Sequence, residues 1–202
     1  MATYSTVAIV NHALILCGAS TVTSITEDTA NARAVNAVYE IARKTILTEA
    51  RWTFSTTRST LATVATTTIA WFHEEESYVY TRPTDALRIW ELSDLNAFWR
   101  EEGNYLISST AGLGAKYSFD QSDVSKWPPE FVAAFIDKLC ADISFMILND
   151  AKKAAIYLEK YEKLSLPKAR SANSQVGLYE SHMDDAWTGA KYSSGNPARS
   201  YS

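Results

Sequence analysis

Arg51-Trp52-Thr53-Phe54-Ser55-Thr56-Thr57-Arg58-Ser59-Thr60 is where the chain changes character. Before it, apolar residues recur at helical spacing. From Thr53 to Thr68, eight of sixteen residues are Thr, and such β-branched enrichment favours extended backbone. The reverse change comes at Trp127-Pro128-Pro129-Glu130, because proline is tolerated in a helix's first turn, where its missing N–H would be unpaired anyway. Helical residues 5–50 and 128–166 therefore enclose a β-rich stretch at 52–127, and 176–202 follow as an extended tail. The expected class is α+β: an antiparallel helical bundle in two sequence pieces (1–51 and 128–175), an inserted small antiparallel β domain (52–127) and a C-terminal arm (176–202).

Outward from the first switch, Ser5 is placed to cap a helix through Val7, Ile9, Val10, Ala13, Leu14 and Cys17, with Gly18 closing its last turn. A Ser- and Thr-rich connector leads to a second helix from about Asp28. There Val35, Val38, Tyr39, Ala42, Ile46 and Ala50 form one stripe, with Arg33, Glu40, Lys44 and Glu49 mostly off it. Within the insertion, Tyr78-Val79-Tyr80, Leu87-Arg88-Ile89-Trp90, Phe98-Trp99-Arg100, Tyr105-Leu106-Ile107 and the alternating Ala115, Tyr117 and Phe119 predict a sheet or barrel of about five strands. Glu101-Glu102-Gly103-Asn104 is a hairpin turn with Gly available for positive φ. After Pro129 the stripe Phe131, Ala134, Phe135, Lys138, Leu139, Asp142, Ile143 and Met146 runs to Asn149-Asp150, which breaks one helix and caps the next. Ala154, Tyr157, Tyr161 and Leu164 line one face of that last helix, and Pro167 is expected to end or kink it.

The 202 residues suffice for one domain, or for one domain carrying a substantial insertion. Net charge is −4 and the pI about 5.4, which speaks against a dedicated nucleic-acid binder, since phosphate neutralisation needs clustered Lys and Arg. It leaves room for a surface past which DNA slides. No apolar run approaches a membrane span, and the start makes a poor secretory signal, so a cytoplasmic place of synthesis and no membrane partner are expected. Cys17 and Cys140 are read as buried free thiols rather than a metal or disulfide pair.

No catalytic constellation, cofactor motif or metal cluster is legible. His12, His73 and His182 are scattered, and Gly112-Leu113-Gly114 lacks a phosphate-loop context. Glu74-Glu75-Glu76 beside His73 is the one run that invites a hydrolytic reading, a pair of carboxylates, one with its pKa raised, hydrolysing a glycosidic bond; solvated loop charge is the plainer explanation. Glu101-Glu102 has the same explanation, and Asp184-Asp185 makes a weak cation site. The tail differs. Tyr179, Trp187, Tyr192 and Tyr201 sit among Gly, Pro and Ser, where rings are costly to expose and binding is the natural way to bury them.

Val10-Asn11-His12-Ala13-Leu14, Gly18, Ile25, Ala30-Asn31-Ala32-Arg33-Ala34, Tyr39 and Arg51-Trp52-Thr53-Phe54 resemble the start of the tail tubular protein A family, the head-to-tail adaptors or gatekeepers of short-tailed bacteriophages. Tyr78-Val79-Tyr80, Pro83 to Arg88 and Pro128-Pro129-Glu130-Phe131 fit the same arrangement, over about residues 5–165. The resemblance implies a virion protein of the neck, assembled in the host cytoplasm as a homo-oligomeric ring between the portal protein and the tail nozzle protein. Genome DNA would pass non-specifically through it, and the C-terminal arm (Tyr179, Trp187, Tyr192, Tyr201) would dock to the portal. It carries Trp52 and Phe54 over as the pivot between bundle and β domain, and Pro128, Pro129 and Phe131 as the return junction. Some related adaptors are credited with cell-wall hydrolysis, so a virion-associated peptidoglycan hydrolase using Glu74, Glu75 or Glu76 is the alternative expectation.

Overall fold

The computed structural model describes residues 4–66, 71–73 and 76–176. Helix α1 (Thr6–Cys17) starts where the Ser5 hydroxyl accepts the Ala8 N–H. It ends at Gly18, whose left-handed φ of 79° lets the Gly18 and Ala19 N–H groups return to Ile15 and Leu14 carbonyls. Asn11 interrupts the apolar run for a reason: its side-chain amide exchanges two 2.8 Å hydrogen bonds with the Val22 backbone and pins the connector. In that connector Glu27 accepts from Thr23, Ser24 and Thr29, and the Thr23 hydroxyl above all holds its carboxyl at about 2.

Helix α2 (Ala30–Glu49) is capped by Thr29, one residue after the expected Asp28. It buries Val35, Tyr39, Ala42 and Ile46 against α3 (Pro129–Leu148). The central helix is α3, which packs against α1, α2 and both later helices and buries Val132, Ile136, Cys140 and Ala141 besides its main stripe. The thiols of Cys17 and Cys140 are both fully buried here, donating to the Cys140 and Ala13 carbonyls across the α1–α3 contact. At Asn149 the backbone turns left-handed (φ 49°), and the Asp150 carboxylate accepts the Lys153 N–H to start α4 (Ala151–Lys160).

The last helix narrows the reading of Pro167, which does not end the helix but follows an irregular turn in it. The chain stays helical to Val176: α4 passes into a π turn at Tyr161–Ser165 and then α5 (Leu166–Val176). A proline inside a helix removes one N–H and presses its ring on the carbonyl four residues back. The wider turn, in which the Leu166 N–H reaches the Tyr161 carbonyl, relieves both by placing Pro167 in the first turn of α5. The same extra residue shifts the buried face. Leu164, expected inside, is 59% exposed, and Leu166 and Ala169 are buried in its place.

The middle of the chain forms two antiparallel sheets rather than one sheet or barrel of about five strands. Its strands are β1 (Thr56–Thr60), β2 (Thr63–Val64), β3 (Tyr78–Thr81), β4 (Ala86–Leu92), β5 (Trp99–Glu102), β6 (Tyr105–Ser108) and β7 (Gly114–Phe119). One sheet runs β1-β7-β4 and the other β2-β3-β6-β5. The extra strands come from the Thr-rich stretch, where only Leu61 and Ala62 separate β1 from β2, so the chain switches sheets at once. Tyr80, Ile89, Leu92, Leu106, Leu113, Ala115 and Tyr117 make a second core, separate from the helical one. Strand β4 departs from strict alternation: register shifts flanking Arg88 and Ile89–Glu91 turn Ala86, Ile89 and Leu92 inward. The fold is thus a mixed α+β class with two cores. The tail, including Tyr179, Trp187, Tyr192 and Tyr201, lies outside the described residues.

Candidate functional site

Two places on the molecule gather side chains whose arrangement exceeds ordinary packing. The first lies where the chain leaves the helical half and returns to it. Trp52 leaves α2 with its ring 1% exposed and its indole N–H donated to the Ile46 carbonyl at 2.7 Å, near the open end of that helix. Phe131 meets Trp52, Phe54 and Trp127 edge to face, with centroids 5.0, 4.7 and 5.1 Å apart. Trp127 continues to Phe135, and Phe135 to Tyr39. Each such pair adds about 0.5–1.5 kcal/mol beyond burial, and all of these rings belong to the helical core or pack against it. Pro128 and Pro129 only set the direction in which α3 leaves it, since Pro128 is extended (φ −62°, ψ 149°) and makes no side-chain cap. Trp127 shares the cluster with Trp52, its N–H donated to Gln121, although its sequence signal was only that of a residue before two prolines.

Polar bonds lock the same junction. Arg43 of α2 holds Asp120, just past β7, by two parallel hydrogen bonds of 2.7 and 2.8 Å, and that carboxylate pushes the Arg43 pKa up. The Asn173 side chain bridges the Arg51 carbonyl and the Thr53 N–H, tying α5 to the point where helix gives way to strand. Tyr161 of the π turn donates to Glu49, and burial first, then that carboxylate, raises its pKa.

The second place is the outer face of the β1-β7-β4 sheet. Register sets Arg58 beside Lys116 and Lys116 beside Glu91 across the three strands. Glu91 accepts from Lys116 and from Arg51, both at 2.8 Å, and these two cations lower its pKa, the Lys116 hydrogen bond being the largest cause. Arg88 lies over the Trp90 ring at 4.4 Å and Arg51 approaches it at 5.5 Å. The Trp90 N–H is spent on the Ser118 hydroxyl. Two open clefts of about 530 and 720 Å³ meet at Arg58 and Lys116. None of this was legible in the sequence, because Arg58 and Lys116 meet only through strand register.

The acidic run reads differently once placed. Glu74 and Glu75 lie outside the described residues. Glu76 is no solvated loop charge: its side chain is fully buried, it accepts the His73 N–H at 2.8 Å, and Arg100 pairs with both its oxygens. The Arg100 Nε to Oε1 contact is 2.8 Å but too oblique for a hydrogen bond. With Arg100 also bound to Glu102, Glu76 acts as an anchor of the β3–β6–β5 region. Among the described residues no group of three His, Cys, Asp or Glu is placed to hold a metal ion, and no helix is long and apolar enough to cross a membrane. Neither a family model nor a curated protein matches this chain.

Proposed function

We propose that this chain is a structural subunit of a ring, a head-to-tail adaptor of the tail tubular protein A kind. In this reading it sits between a portal protein and a tail nozzle protein in a virion neck and passes genome DNA. One observation carries it: large apolar side chains stand exposed at one end of the helical half. Ile15 is 62% exposed, Phe145 57% and Met146 51%, with Leu16 and Leu148 beside them in the chain. The ends of α1 and α3 adjoin, as the 3.3 Å contact between Cys17 Sγ and Ser144 Oγ requires. Both sets of side chains therefore stand at the same end of the helical half, and together they are proposed as one lateral patch. Phe145 lies about 21 Å along α3 from Phe131, at 1.5 Å per residue. Exposed apolar side chains of this kind suit a protein interface.

The rest of the reading follows from how such a subunit would work. Residues 1–51 and 128–175 act as the bundle that meets neighbouring subunits. The aromatic junction carries load between bundle and β domain. The arm read at 176–202, whose first residue Val176 closes α5, docks to the portal through Tyr179, Trp187, Tyr192 and Tyr201. Each part has its own variant. Phe145→Glu with Met146→Glu is expected to leave a folded monomer that binds a portal singly without closing a ring, seen by imaging the mixture. Truncation after Val176 is expected to abolish portal binding with the melting temperature unchanged. A double variant that still closes rings removes the patch as the lateral interface, and full portal affinity after truncation removes the arm.

A further inference from the structure

The outer sheet face stands apart from a chain that is acidic overall. Arg51, Arg58, Arg88 and Lys116 lie on it, and Glu91 is the one carboxylate lining its two clefts. Arg58 and Arg88 are exposed, and neither has an ion-pair partner among the described residues. Four cations less one carboxylate leave a local surplus of three, within a face three strands wide. Three strands span about 10 Å, a length over which duplex DNA carries about six phosphates.

The groups left to hold phosphate oxygens are the guanidinium forks and Lys116, since the Thr53 hydroxyl is spent on Asn173, the Thr56 hydroxyl on the Trp52 carbonyl and the Asn173 amide on the Arg51 carbonyl. The aromatic ring present is not free to stack on a base. Two guanidinium groups cover Trp90 and Ser118 takes its N–H. A surface with phosphate donors but no free stacking platform fits a paired, backbone-presenting nucleic acid better than a single strand. The sheet order leaves β1 and β4 as edges, so an acidic peptide added to an edge is the occupant against which the duplex is tested.

We propose that the outer face of the β1-β7-β4 sheet is a weak, sequence-independent contact surface for duplex DNA, gripping phosphates through Arg51, Arg58, Arg88 and Lys116. It deepens the conduit reading, on which it rests for where the duplex is met, by naming the face that meets it. A surplus of three charges gives a grip that salt breaks easily. Glu91, already subtracted in that surplus, holds two of the cations, which suits a surface past which a duplex must move.

The test is fluorescence anisotropy of a labelled duplex of about 20 base pairs against the full chain. With three phosphates neutralised, affinity is expected to fall about 40-fold between 50 and 200 mM salt. Arg58→Gln with Lys116→Gln, both surface changes checked by circular dichroism, leaves one neutralised phosphate and a fall of only about 3- to 4-fold. Glu91→Gln is expected to tighten binding, an outcome that a merely structural role for Glu91 does not produce. No binding at the lowest salt overturns the proposal. So does a salt dependence unchanged in the double variant, or tighter binding of oligo-dT than of duplex. Displacement by polyglutamate at a lower charge concentration than by unlabelled duplex assigns the face to an acidic protein and overturns it as well. Ring closure on a portal is scored separately with the same variants. Rings that form without duplex affinity refute this inference alone, and duplex affinity without rings refutes the adaptor reading alone.

Discussion

Replacing Trp52 by Ala removes the indole at the centre of the junction. Burying a Trp removes about 150–250 Å² from water, and at about 25 cal/mol per Å² that is about 4–6 kcal/mol, an upper estimate because the unfolded chain is already partly compact. The alanine retains a small part of it. Against that, the cavity left between Phe54, Phe131 and α2 adds its own cost, and the Ile46 carbonyl loses its donor. The net expectation is a loss of about 3–5 kcal/mol, a third or more of the stability of an ordinary domain. For a chain of this length that moves the melting temperature down by about 10 °C. Urea unfolding followed by far-UV circular dichroism and by tryptophan fluorescence is the assay. Because the ring belongs to the helical core and not to the β core, the two probes should also separate in the variant while coinciding in the parent. A loss below about 1 kcal/mol with coincident transitions would refute the assignment of Trp52 as a central member of the helical core.

The other structural predictions are narrower. Arg100→Leu leaves the Glu76 carboxylate buried without its partner and should cost about 3–5 kcal/mol, measured by urea denaturation; an unchanged midpoint would mean that Glu76 reaches water. A hydrolase test must therefore replace Glu74 and Glu75 while keeping Glu76, so that lost lysis of purified cell wall is not lost folding. Tyr39, Tyr117, Tyr157 and Tyr161 all have pKa values raised, chiefly by burial. Each is raised above an unfolded value near 10, so this stability is complete below about pH 10 and is lost as pH rises beyond it. Tyr161→Phe should flatten part of that alkaline fall in melting temperature, and a slope identical to the parent's would remove Tyr161 from the account.

Where local chemistry decides the backbone, sequence reading was enough. The Ser5 cap, the Gly18 stop, the Asn149-Asp150 break and the Gly103 hairpin all depend on residues within a few positions of one another. The α+β class followed from the change of period at Arg51. Failures arose where the deciding partner is distant. The Thr-rich stretch looks extended throughout, but its division between two sheets depends on β3 and β7, so a single sheet was expected. Leu164 has the right spacing for a buried face, and only the π turn that accommodates Pro167 moves it outward. Glu76 looks like loop charge until Arg100, 24 residues away, is brought to it. The cationic row is the extreme case, since Arg58 and Lys116 become neighbours only through strand register.

The most direct test of the adaptor account is the mass of the purified full chain in solution, followed by imaging after mixing with an isolated portal ring. The account predicts that the chain joins the portal as a closed collar, and that truncation after Val176 prevents this. A chain that leaves the portal bare and remains monomeric at every concentration would contradict it.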